Sequence, residues 1–326
     1  WSTASTINKV KFNKNGTAKL DTKELDAWLD QWPDAKMYLS FLGIGGYSGV
    51  HTKSFKGAKC GTDEFKQKVG AWATALVKHL RTRGITPDRF AILICDEPHE
   101  GVETEPIVAF ANAIHAAQPD LVIWVDPAYD YPSKAPSDLF DTSDILCPNR
   151  PMWLARKDRF SKFYLDQQKK GRALQLYSCS GPARLLDPYS YYRLQAWQCW
   201  QIGATASYFW ALGDGSSWNE YLDSGIVYSP IFIDETTVTA AKQMEAIRES
   251  VEDYETFVML RNAIARAKAS GRNDAKVAQA ESLLKSGVDE VLGAEGVDQI
   301  RWNKPKDREK ADTVRVRILE ALSELK

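Results

Sequence analysis

Six consecutive residues, Phe90-Ala-Ile-Leu-Ile-Cys95, are apolar at every position and run directly into Asp96-Glu97-Pro98. A strand apolar on both faces belongs in a parallel sheet covered on both sides, because a half-exposed strand would alternate apolar and polar residues. Proline has no N–H for a sheet ladder, so the strand stops at the two acids. In barrel and open α/β enzymes, chemistry gathers at the carboxyl ends of such strands. Two neighbouring acids at the lip of a buried sheet carry a desolvation cost that packing alone gives little reason to accept. On a regular strand they would face opposite sides, so both reach one pocket only if the strand ends or bulges there. A helix N-cap is the structural alternative, but the next helical pattern begins several residues later, near Pro106. Asp96 and Glu97 are therefore the candidate catalytic pair, with divided roles, one charged and one protonated.

Strand-like runs alternate with helical patterns for most of the chain. Residues 7–12 are weakly strand-like, and residues 36–44 form a stronger candidate ending in glycines. A helix is expected over 63–83, with Thr62 as N-cap and Gly84 at its exit. Further strands are expected at 90–95, 121–126, 144–148, 174–180 and 206–212, with helices at 106–117, 160–170 and 189–202 between them. About seven strands with intervening helices is the rhythm of a parallel β/α fold. The expected architecture is an α/β, TIM-type (β/α)8 barrel in which residues 7–12 are the second strand and the first lies on a segment outside this sequence. From residue 236 the pattern changes to long amphipathic helices at 238–269, 274–292 and 307–325. The expected division is a barrel over 1–265 and a C-terminal helical extension over 266–326.

Charge and cysteine usage narrow the function. The 42 basic residues of the 326-residue chain nearly cancel its 43 acidic ones, a net charge of -1, and no basic cluster interleaves with aromatics. That excludes a nucleic-acid partner held by phosphate neutralisation. No apolar run approaches the ~18 residues of a membrane span, so no membrane partner is expected. The five cysteines (Cys60, Cys95, Cys147, Cys179, Cys199) are widely spaced, without a Cys-x-x-Cys pair, and form neither a zinc site nor a disulfide scaffold. Cys95, Cys147 and Cys179, in apolar strand-like runs, are expected to be buried thiols. The 11 tryptophans include several near expected strand ends, where flat rings suit the faces of sugars, although indoles also fill cores.

Other chemistry is excluded by what surrounds it. His99-Glu100 lacks the second histidine of a zinc-protease helix, and His51, His79, His99 and His115 lie far apart. No metal or other cofactor is expected. Gly43-Ile-Gly-Gly46 and Tyr47-Ser-Gly49 have neither the dinucleotide spacing nor a Lys-Ser/Thr ending, so the segment is read as a flexible active-site loop. Tyr177 and Trp210 stand near the ends of later strands, as a hydroxyl donor and a sugar platform. Asn149, Asp126 and Tyr129 occupy equivalent loop positions, and Trp218 follows Gly213-Asp-Gly-Ser-Ser217 as a candidate lid residue.

Three segments together resemble the catalytic domain of glycoside hydrolase family 123 and its wider relatives. They are the strand ending in Asp96-Glu97-Pro98; Tyr177-Ser-Cys-Ser-Gly-Pro182 with Arg193, Trp197, Trp200 and Gly203 before the strand to Trp210; and Arg248-Glu-Ser-Val-Glu-Asp-Tyr-Glu255. The resemblance implies a barrel glycosidase acting on β-linked N-acetylgalactosamine in a glycan or glycoconjugate by a retaining, substrate-assisted route. It implies Glu97 as acid/base, Asp96 as the residue orienting the 2-acetamido group, and Tyr177 as a second hydrogen bond to that group. It also implies an N-terminal β-sandwich domain outside this sequence and a secreted or periplasmic protein of bacterial type. Two alternatives stand beside it. One is a barrel glycosidase of other specificity using a second carboxylate, such as Asp126 or an acid near Asp214 or Glu220; the other is a catalytically silent carbohydrate-binding barrel.

Overall fold

The structure is a computed structural model that describes residues 6–7, 9–213, 227–272, 274–303 and 305–325. Its contacts divide the chain into two units, one of residues 1–148 and 158–174 and the other of residues 149–157 and 175–326.

The first unit is built on a five-stranded sheet of β1 (Tyr38–Phe41), β2 (Phe90–Leu93), β3 (Val122–Val125), β4 (Ile145–Leu146) and β5 (Ala173–Leu174). The strands lie side by side in chain order and every pairing is parallel. All four residues of β2 are buried, which is why the run carries no polar residue on either face. Helix α1 (Lys23–Gln31) precedes the sheet, and α2 (Asp63–Thr82) and α3 (Glu105–Ala117) connect its strands. At the start of α2 the Thr62 side chain accepts the Phe65 N–H, and Gly84 follows the helix with φ +72°. The helix buries Phe65, Val69, Trp72, Ala73, Leu76 and Leu80, the spacing of one helical face. Gly70 lets α3 approach closely: a Cβ there would stand 3.1 Å from the Ala117 Cβ.

Residues 7–12 do not form the second strand of a barrel. Only Lys11–Phe12 is extended, and it pairs antiparallel with Ala18–Lys19 in a separate two-stranded ribbon. The reason is the Asn13-Lys-Asn-Gly16 turn, where Asn13 N–H bonds the Thr17 carbonyl and Gly16 takes φ +82°, so the chain doubles back. Among the described residues the strands form this α/β parallel sheet rather than a closed ring of eight.

The second unit holds a parallel pair, β6 (Leu176–Ser178) and β7 (Ser207–Phe209), linked by a π-helical turn, Pro188–Arg193, and helix α4 (Leu194–Ile202). A hairpin of β8 (Ile231–Ile233) and β9 (Val238–Ala240) follows. Helix α5 (Lys242–Ala269) thus begins four residues later than its periodicity suggests, because Val238-Thr-Ala pairs as a strand instead. Helices α6 (Ala275–Leu292) and α7 (Lys310–Glu324) share one core with α4 and α5, containing Trp197, Phe257, Leu260, Val277, Val291, Val314 and Ile318. The expected boundary near residue 265 falls inside α5. Cys95, Cys147 and Cys199 are buried, whereas Cys179 is only half-buried, since β6 ends at Ser178 and leaves it outside the ladder. Among the described residues no helix is long and apolar enough to cross a membrane.

Arg193, in the π-helical turn, ties the second unit together. It donates to the fully buried Asp253 of α5 at 2.8 Å and also meets Glu249 and Asp312. Asp253 also accepts the Trp197 indole N–H at 2.8 Å and faces Arg315 at 3.3 Å. Elsewhere Asp187 pairs with the buried Lys306 ammonium and with the partly exposed Arg308.

Candidate active site

Strand β2 stops at Leu93, and the chain bends through residues 95–97 before it reaches Pro98. Glu97 has φ +43°, a left-handed backbone conformation that a side chain with a Cβ adopts at a cost of order 1–3 kcal/mol. Such a residue persists only where its surroundings hold it. Here the Glu97 N–H donates to Asp126 Oδ1 at 3.1 Å, and the Glu97 carbonyl accepts from His99 Nδ1 at 3.0 Å. The reversal breaks the alternation that would turn Asp96 and Glu97 to opposite sides of the sheet.

Asp126 follows the last residue of β3, the strand next to β2, with Leu93 registered on Trp124. It is 3% exposed, and its carboxyl adjoins that of Asp96. Two adjacent carboxyls in so buried a place resist ionising together. Burial and then the neighbouring charge of Asp96 push the Asp126 carboxyl well above the ordinary carboxylate range. Burial raises Asp96 too, though less, because the Asp126 side chain opposes that rise in part. Of the two, Asp126 is the carboxyl held further above the ordinary range, and it accepts the Glu97 N–H.

Cys95, beneath this trio, is buried, its thiol pushed up to about 12 by burial and by the neighbouring Asp126 and Asp96 carboxyls, so it stays neutral. Gly45 packs on it from the segment after β1: a Cβ there would meet the Gly49 carbonyl at 2.6 Å and the Cys95 Sγ at 3.1 Å. That segment, read from sequence as a flexible loop, folds into two short hairpins, Gly45–Gly46 with Gly49–Val50 and Ser54–Phe55 with Ala58–Lys59. A Cβ on Gly46 would stand 3.8 Å from the Asp96 Cβ, so the first hairpin flanks the acid pair.

The other candidate residues separate by unit. Tyr129 belongs to the first, buried near Cys95 and Glu100, and its hydroxyl has no hydrogen-bond partner among the described residues. Burial and then the charge of Glu100 raise it to about 12. Asn149 and Tyr177 belong to the second unit, where their backbones bridge in parallel, and Asn149 Oδ1 caps the helix Arg150–Arg156 by accepting the Met152 N–H at 3.1 Å. Trp210 follows β7 in the same unit, its N–H bonded to the Ser178 carbonyl and its ring about half exposed. Trp218, Asp214 and Glu220 lie outside the described residues. His99, which sequence reasoning weighed only as a metal ligand, instead fixes the Glu97 backbone. Its position two residues after the acid was the available signal. Among the described residues no group of three or more His, Cys, Asp or Glu side chains is arranged to hold a metal ion.

No protein-family model matches the sequence, and no curated protein sequence matches it. Among solved structures, a family 123 glycoside hydrolase from Clostridium perfringens, described for glycolipid glycan hydrolysis, aligns over 97% of this chain with a TM-score of 0.59 and 16% identity. This chain shares the fold of a family 123 glycoside hydrolase. It spans 57% of the length of that structure. More distant matches include an endo-β-1,4-mannanase from Thermotoga petrophila, with a TM-score of 0.45 and 12% identity over 71% of this chain and 61% of that one. Another is a broad-specificity endoglucanase from Ruminococcus champanellensis, at 0.42 and 10% over 70% and 76%. Within the family 123 fold of this chain, the acid trio lies at the carboxyl ends of two adjacent parallel strands.

The raised Asp126 carboxyl has a measurable consequence. A carboxyl whose folded pKa is raised binds its proton more tightly when folded, so it costs stability as pH rises from about 3.9 toward the folded value. Asp126→Asn copies the protonated form, keeping an acceptor for the Glu97 N–H and a donor for Asp96, and does not titrate. The variant should gain stability over the wild type as pH rises from 4 to 7, at up to about 1.4 kcal/mol per unit. Urea unfolding of both proteins across that range checks it. A difference that stays constant with pH would mean Asp126 is ionised in the folded protein.

Proposed function

We propose that this chain is a glycoside hydrolase that cleaves a β-linked 2-acetamido sugar, N-acetylgalactosamine above all, by a retaining, substrate-assisted route. The observation that carries the reading is the adjoining Asp96 and Asp126 carboxyls joined through the backbone to a strained Glu97. It supplies two carboxyls of unequal proton affinity and one neighbouring acid in an enforced conformation. The likeness in fold and the motif resemblance both support the same chemistry, and the parallel sheet is read as part of a TIM-type (β/α)8 barrel.

In this reading Glu97 gives its proton to the glycosidic oxygen as the bond to the anomeric carbon breaks. The acetamido carbonyl oxygen of the substrate forms the new bond to that carbon from the opposite face, closing an oxazolinium ring. Asp96 accepts the acetamido N–H and faces the positive charge that develops there. Asp126 keeps Asp96 ionised by donating to it and holds the Glu97 backbone in place. Water, deprotonated by the Glu97 carboxylate, then opens the ring and leaves the product with its original β configuration. A direct attack by Asp126 fits less well, because that carboxyl is buried, protonated and already bonded to both neighbours.

Paired chromogenic substrates test the reading. The β-N-acetylgalactosaminide should be cleaved at least about 10²-fold faster than the β-galactoside, because only the first carries its own nucleophile. Comparable cleavage of both would remove substrate assistance and leave a glycosidase of another mechanism. Cleavage of neither, across a panel of glycans, would leave a sugar-binding barrel.

A further inference from the structure

Tyr47 stands at the tip of the hairpin that flanks the acid pair, between Gly46, against Asp96, and Gly49. Its ring is 66% exposed, yet it is held: it stacks on the His99 imidazole with centroids 4.3 Å apart and planes within 22°. His99 in turn donates to the Glu97 carbonyl. The hairpin is braced by a hydrogen bond between Ser48 and His51 at 3.1 Å and by the His51 and Thr52 N–H groups on the Ile44 carbonyl. One face of the tyrosine is therefore backed by a ring anchored to the Glu97 backbone, and the rest is open to solvent. Packing gives no reason to hold a large ring in water at the tip of the hairpin that flanks Asp96. The apolar face of a pyranose is the ligand that such a flat surface suits.

We propose that Tyr47, backed by His99, is the stacking platform for the sugar on the leaving-group side of the scissile bond. The side follows from the anchor, since His99 is bonded to the residue that must reach the leaving oxygen. The proposal rests on the glycosidase reading and adds a substrate preference to it: a saccharide aglycone is bound, not merely released. Tyr47 is a binding residue and His99 a positioning residue behind it.

The test compares a β-N-acetylgalactosaminyl-galactose disaccharide with the corresponding glycosyl fluoride, which has no aglycone ring. Tyr47→Ala should lower kcat/KM on the disaccharide about tenfold and leave the fluoride unchanged, while Tyr47→Trp retains both. Equal losses on the two substrates, or none on either, would overturn the platform. Calorimetric affinity for the same disaccharide, measured in a Glu97→Gln background, separates the two readings. A drop on adding Tyr47→Ala supports the platform even if the wild type cleaves nothing, in which case only the hydrolase reading fails. Affinity unchanged by Tyr47→Ala, or no binding at all, overturns it.

Discussion

Glu97→Gln should lower kcat/KM on the disaccharide by about 10²–10⁴-fold, the range associated with losing a positioned general acid. The amide cannot give a proton to the leaving oxygen, and afterwards cannot take one from water, so both chemical steps suffer. The fold should not. Glu97 is half-buried, its backbone contacts to Asp126 and His99 do not involve the substituted atoms, and Gln occupies the same volume. Stability should therefore stay within about 0.5 kcal/mol of the wild type. The loss should also depend on the leaving group. A glycosyl fluoride needs little acid assistance, so its cleavage should suffer much less than that of the disaccharide. A uniform loss on both substrates would mean that Glu97 acts by binding rather than by proton transfer, and a loss under tenfold on the disaccharide would remove it from the acid role.

What the sequence revealed of this arrangement divides along a physical line. Local signals were readable: β2 from its unbroken apolar run, α2 from Thr62 and Gly84, and the position of the two acids just past a strand end from the polar residues that follow that run. Local signals also misled where two were in conflict. Residues 7–12 alternate like a strand, but the Asn13–Gly16 turn decides where that strand pairs, and Val238-Thr-Ala continues a helical period although β-branched residues favour the hairpin it joins. Asp126 could be placed at a strand end, yet its bond to Asp96 depends on the β2–β3 register, which no single strand specifies. Glu97's backbone strain and Tyr47's stacking on His99 are likewise products of assembly. The Arg248–Glu255 motif was visible as a pattern, while its physical content, an ion pair with an arginine sixty positions earlier, was not.

That ion pair leads to the largest expected effect on stability. Asp253 is fully buried and bonds Arg193, Trp197 and Arg315 together. Asp253→Ala removes the charge that compensates a guanidinium whose side chain is only 5% exposed, and leaves the indole N–H without its acceptor. Breaking a buried pair from one side costs about 3–5 kcal/mol. Arg193 keeps Glu249 and Asp312, both partly exposed, so the loss should fall toward the lower end of that range. Replacing both partners with apolar residues of similar size, Arg193→Met with Asp253→Leu, should recover a large part of it, because the charges left without a partner, on Glu249, Asp312 and Arg315, all reach solvent. Chemical denaturation of the single and double variants measures both terms. A cost under 1 kcal/mol for Asp253→Ala would mean that water or relaxation already screens this pair. In the folded fraction kcat/KM should be unchanged, since the side chains of the Arg193–Asp253 network bond one another and none of Asp96, Glu97 or Asp126.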